Sequence, residues 1–147
     1  MSDKRYSNQY IKKYLNQMKG LDLLIQSKEE EVCRLKELAK KTASVITEDK
    51  VIGGKSITDK MASRVCAYSD IEREIEELRA LRNEISSIIS KVFDNDQELL
   101  LRLRYVDDST WRYIAYKMGY ESISSVHRLH KKALGSVRAI MSTRATK

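Results

Sequence analysis

The chain has 147 residues, 41% of them apolar and 33% charged, which is ordinary for a soluble protein of one domain or two small ones, and no apolar run approaches the roughly 18 residues needed to span a bilayer. It contains no proline and five glycines, so the strongest helix breakers are nearly absent and a nearly all-helical, all-α protein is predicted. The net charge of +7 lies entirely in Ser109–Lys147, where eight Lys or Arg side chains oppose the single acid Glu121; the first 108 residues hold 20 basic and 20 acidic groups and cancel.

The first predicted element is a long helix. Ile11, Tyr14, Met18, Leu21, Ile25, Lys28, Val32, Leu35, Ala39, Thr42 and Ile46 alternate at steps of four and three, an a/d seam in which Lys28 is the one charge. At 1.5 Å per residue one helix of this length extends on the order of 50 Å, which is unstable alone in water. Thr47–Thr58, with Gly53-Gly54 between charged residues, has loop composition, and Thr58 or Asp59 can cap a second long helix. Gly53-Gly-Lys-Ser56 does not form a phosphate-binding loop, because Asp49 occupies the position that needs the first glycine and no strand precedes it.

A second seam runs through Tyr68, Ile71, Ile75, Leu78, Arg82, Ile85, Ile89 and Val92, with Met61 and Val65 leading in and Leu81 and Ile88 widening it. Two long helices on a short connection are antiparallel neighbours, so residues 1–93 read as a helical hairpin, a coiled coil. Its second stripe is wider than one partner helix can cover, which points to a second copy and a homodimer through the hairpin. Cys33 and Cys66 lie on the outer sides of these stripes, without a CxxC pattern, and read as plain thiols.

Residues 94–147 read as a separate small domain. Asp94-Asn-Asp96 breaks the second helix and caps a third, Gln97–Val106, with Leu99, Leu100 and Leu103 inward. Ser109 or Thr110 caps the next, whose apolar face is Trp111, Ile114, Ala115 and Met118 and whose left-handed terminator is Gly119. The last helix starts near Ser122 and runs to about Ser142. Centring its buried face on Val126 brings Ile123, His130, Ala133, Val137, Ile140 and Met141 to that side, leaving Ser124, Arg128 and Lys131 opposite, flanked by Ser125, His127 and Lys132. Short polar groups in the first turns with cations behind them suit a helix that enters a DNA major groove, while Arg112, Lys117 and Arg138 add phosphate-neutralising charge. His127 and His130 are three apart but have no third ligand, so no metal is expected. No nucleophile and base are paired for catalysis, and no cofactor motif is present: the reading is not an enzyme.

Gln97–Leu134, with Leu-Arg-Tyr-Val, Trp-Arg-Tyr-Ile-Ala-Tyr-Lys-Met-Gly and Val-His-Arg-Leu-His-Lys-Lys-Ala-Leu, resembles the fourth region of bacterial sigma factors. The hairpin, the Gly-Gly loop and this unit together are similar to the ArpU and RinA type of late-gene transcriptional regulators of prophages. The resemblance implies a cytoplasmic, dimeric, helix-turn-helix regulator of transcription in a bacterial host, an activator of phage late genes that binds double-stranded promoter DNA through Ser124, Ser125, Arg128, Lys131 and Lys132. One departure is that Val126 follows Gly119 by seven residues where the sigma-like pattern has six, so the turn is one residue longer. Two other classes fit the same layout: a phage small terminase subunit, in which the DNA unit normally comes first, and an interaction module that contacts RNA polymerase.

Overall fold

The computed structural model describes residues 6–48 and 54–145, and all regular structure among them is helical, as expected for an all-α chain. The order is α1 (Asn8–Asn16), α2 (Leu21–Glu48), α3 (Gly54–Ser90), α4 (Asn95–Leu101) continuing into a π-helical turn (Arg102–Val106), α5 (Trp111–Met118) and α6 (Ile123–Ala145). The expected loop Thr47–Thr58 is shorter than its composition suggests: helical backbone reaches Glu48 and resumes at Gly54, which removes the need for a cap at Thr58 or Asp59. Residues 49–53 of that loop lie outside the described residues.

The first long helix is in fact two. The amides of Met18, Lys19 and Leu21 reach carbonyls three residues back at 3.1, 3.0 and 3.2 Å, tightening the chain, and Gly20 sits at φ +71°. A side chain there would cost about 1–2 kcal/mol, so glycine permits the break that the unbroken apolar seam conceals. Ser7 caps α1 by accepting a hydrogen bond from the Tyr10 amide at 3.2 Å.

That break moves the domain boundary. The chain divides into two compact units, one Asp22–Leu81 and the other joining the chain up to Leu21 to the chain from Arg82 onward. The expected division into residues 1–93 and 94–147 is therefore corrected at both ends of the hairpin. The physical reason is burial: Ile11 and Leu15 of α1 and Ile85 and Ile89 near the end of α3 are fully buried, and α1 packs on α6.

Within the Asp22–Leu81 unit the two helices run in opposite directions. Glu29 pairs with Arg79, Lys28 Nζ with Glu74 at 2.6 Å, Lys36 with Glu72 at 2.9 Å, and Arg64 donates to the Leu38 carbonyl at 3.2 Å. As numbers rise along α2 they fall along α3. Exposed ion pairs of this kind contribute about 0–1 kcal/mol each, so they report direction more than strength. Ile25, Val32 and Ile75 are buried, but Leu35, Ile71 and Leu78 are only half-buried and Leu24, Leu38 and Val65 are exposed. Cys33 and Cys66 are free and exposed.

The other unit is built around α6, against which α1, α4 and α5 all pack. Asp94 caps α4 by accepting from the Gln97 amide at 3.0 Å. Leu100 and Leu101 are fully buried, whereas Leu99, expected inward, is 44% exposed. The reason is helical phase: Gln97, Leu100 and Leu101 share one face, and Gln97 meets Ser136 of α6 with it, which turns Leu99 outward. The single helix expected over Gln97–Val106 changes character at Arg102, whose carbonyl accepts from the amide of Asp107, five residues on, at 2.9 Å. Leu103 and Tyr105 of this turn are buried.

Candidate nucleic-acid interface

The elements that carry the basic face are capped as their sequence suggests. Thr110 accepts from the Tyr113 amide at 3.1 Å to start α5. Gly119 ends it at φ +78°, with the Tyr120 amide bonded to the Ala115 carbonyl at 2.8 Å and the Gly119 amide to the Tyr116 carbonyl at 3.3 Å. That paired closure is a Schellman motif and requires a residue tolerant of positive φ. Ser122 then caps α6 by accepting from the Ser125 amide at 3.4 Å. Residues 119–122 thus join the two helices.

Packing fixes which side of α6 faces out. Val126, Ala133 and Val137 are fully buried and His130 and Met141 nearly so, as the stripe predicts. Leu134, absent from that stripe, is also buried, whereas Ile123 is 39% exposed and Ile140 half-buried, so the buried face is rotated toward Leu134. Ile114 and Ala115 are the buried residues of α5; Trp111 and Met118 are half-buried.

Ser124, His127, Arg128, Lys131 and Lys132 are exposed on α6, and Arg112 and Lys117 are exposed on α5. Among the described residues no carboxylate pairs with Arg112, Lys117, Arg128, Lys131 or Lys132. The five cations therefore keep their full field for a partner. Ser125 is half-buried and sits in the cap network, its Oγ 3.2 Å from Ser122 Oγ and accepting from Arg128 at 3.5 Å. Arg138 departs from the expectation. Its Nε donates to the Tyr6 carbonyl at 2.7 Å and its Nη2 to Asn8 Oδ1, so it ties α1 to α6 and is not a freely exposed cation.

Behind this face lies an aromatic cluster that sequence reasoning missed. The Trp111 ring lies 4.8 Å from the His127 ring and 4.7 Å, edge-on, from His130, and the Arg104 guanidinium covers it at 4.2 Å. Arg104 also donates to the Ser109 carbonyl at 3.0 Å. The Tyr105 hydroxyl and His130 Nε2 share a hydrogen bond of 2.7 Å. Burial, reinforced by Lys12, Arg104 and His127, pushes the His130 imidazole down from 6.5 to about 4, and burial pushes the Tyr105 phenol up to about 12. Both groups are thus neutral at pH 7. Arg104 and Tyr105 belong to the Leu-Arg-Tyr-Val run, but they lie in the π-helical turn, whose phase no helical wheel anticipates, so their contacts with Trp111 and His130 were not legible. His130 is occupied by Tyr105, and among the described residues no group of three His, Cys, Asp or Glu is placed to hold a metal.

Residues 40–137, two thirds of the chain, match the family described as Protein of unknown function (DUF1492), a domain family found in phage proteins. The chain belongs to the DUF1492 family. The DUF1492 match takes in the basic face from Arg112 to Lys132 and stops before the end of α6. No curated protein and no solved structure matches the chain. Among the described residues no helix is long and apolar enough to cross a membrane.

Proposed function

We propose that the protein is a sequence-specific DNA-binding regulator of transcription, in which α5 and α6 act as a helix-turn-helix and α6 reads the major groove. The observation that carries this reading is the exposed face of Ser124, Arg128, Lys131 and Lys132 on α6, together with the exposed Arg112 and Lys117 of α5: among the described residues these five cations have no carboxylate partner, and they lie in the segment that holds the whole net charge. The polar first turn suits base edges and the cations behind it suit phosphates. His127, held by Trp111, borders the same face. The phage association of DUF1492, with the sigma-like pattern of Gln97–Leu134, supports a phage or prophage late-gene activator working in the bacterial cytoplasm. The half-covered face of the Asp22–Leu81 unit, with Leu24, Leu38 and Val65 exposed, supports a homodimer through α2 and α3, and two recognition helices in successive major grooves would call for half-sites about 10 bp or a multiple apart.

The test is fluorescence anisotropy at fixed salt with phage promoter fragments against scrambled duplexes. Wild type binds a promoter subset more tightly, and Arg128→Ala, whose side chain is exposed, keeps its helical circular dichroism while losing roughly 5- to 150-fold in specific affinity. Equal affinity for all duplexes, or an unchanged Arg128→Ala, refutes the assigned face.

A further inference from the structure

Phe93 has no structural explanation in the monomer. It stands between α3 and α4 with its side chain wholly exposed, 101% of the reference area, although its neighbour Val92 is 3% exposed. A single solvated phenyl ring is not by itself a contact surface, but its burial in an apolar receptor on a second copy would be favourable. Such a receptor is present. An open groove lined by Lys91, Ala139, Ile140, Thr143 and Arg144 begins two residues before Phe93, on the same unit. Its floor is the apolar edge of α6 left open where Ile140 is half-buried and Ala139 exposed.

Projection and groove are also complementary in charge. Asp94, which caps α4, and Asp96 follow Phe93 in the chain and are both exposed, while Lys91 and Arg144 rim the groove. Arg144 lies 3.6 Å from Glu84, but neither Lys91 nor Asp96 has an ion-pair partner among the described residues. An aromatic projection followed by two exposed acids, beside a base-rimmed apolar groove, is self-complementary, which is the condition for a two-fold contact: each copy offers the same patch, and each ring enters the other's groove. A groove serving an unrelated partner would not need the matching projection next to it.

We infer that this patch is a second-copy contact, in which Phe93 of each copy seats in the groove between Lys91 and Arg144 of the other. It joins the units that carry the basic face and is distinct from the proposed α2 and α3 contact, because none of its residues lies in Asp22–Leu81. Its occurrence does not depend on DNA being the ligand.

The experiment uses the full chain. A photo-crosslinking phenylalanine analogue is placed at position 93, isotopically labelled and unlabelled protein are mixed, and adducts between copies are mapped by mass spectrometry. In parallel, sedimentation equilibrium compares wild type with Phe93→Ser and with Ala139→Arg, which fills the groove from an exposed position. The expected result is an inter-copy adduct within residues 139–144 and self-association weakened about ten-fold or more by either substitution. Absence of adducts in 139–144, or association equal to wild type in Phe93→Ser, overturns the inference. The latter result would leave a dimer through α2 and α3 standing, and Leu38→Lys, which perturbs only that contact, reports on it separately.

Discussion

Mild acid should destabilise the unit built on α6 through one imidazole. His130 is 5% exposed, bonded through Nε2 to the Tyr105 hydroxyl at 2.7 Å and pressed by Trp111, and the cations facing it are Lys12 from α1 and Arg104 from the π-helical turn, with His127 on its own helix. Its folded pKa, about 4, lies below the 6.5 of the unfolded chain. Between those values the unfolded chain binds a proton that the folded chain does not, so this contribution is complete above pH 6.5 and declines as pH falls toward 4. At 1.36 kcal/mol per unit, the loss from pH 7 to pH 5 is about 2 kcal/mol, and about 3 kcal/mol at the lower limit. Urea unfolding at pH 7, 6 and 5, followed by fluorescence of Trp111, the one tryptophan, measures it. His130→Gln sets a lower baseline but should flatten the slope between pH 6.5 and 5, where few carboxylates titrate. If wild type and His130→Gln lose stability in parallel across that window, the buried neutral imidazole is not the cause and the reasoning fails.

Gly20→Ala should destabilise by about 1 kcal/mol from backbone strain alone, because a Cβ there meets no atom within 4 Å; a thermal melt unchanged within error would contradict the left-handed break between α1 and α2. Thr110→Ala removes the cap on the Tyr113 amide and should cost about 1 kcal/mol in urea unfolding, with Thr110→Ser retaining most of it. On the proposed function, Arg138→Ala should lower the melting temperature yet leave the salt dependence of DNA affinity unchanged, whereas Lys131→Ala should reduce the log–log salt slope by about 0.9 with little effect on stability; the reverse pattern would contradict the assignment of Arg138 to the α1–α6 contact.

Much of the architecture is legible without coordinates because it rests on local chemistry. The absence of proline and the 3.5-residue periodicity predict the all-α class, Asp94 and Thr110 announce helix starts by side chains that accept the first free amides, and Gly119 announces an end that needs positive φ. The outward position of Arg128 and Lys131 follows from 100° per residue once Val126 is placed inside. These inferences need only neighbours a few residues away.

Choice of packing partner is a different matter. Ile11, Met18, Leu21 and Ile25 continue one apolar seam in sequence, yet α1 belongs with α6 while Ile25 belongs to the α2 and α3 pair, because periodicity states that a face is buried without stating against what. Arg138 likewise reads as one more cation until the chain returns Asn8 and Tyr6 to it from 130 and 132 positions away. Neutral His130, the Arg104 and Tyr105 contacts of the π-helical turn and the outward turn of Leu99 depend in the same way on distant groups and on a local change of helical pitch. The sequence by itself determined the all-α class, the caps at Asp94 and Thr110 and the place where positive charge collects; only the tertiary structure decided which helices share a core and which cations remain free, since burial and pairing are properties of surfaces that chain order does not bring together.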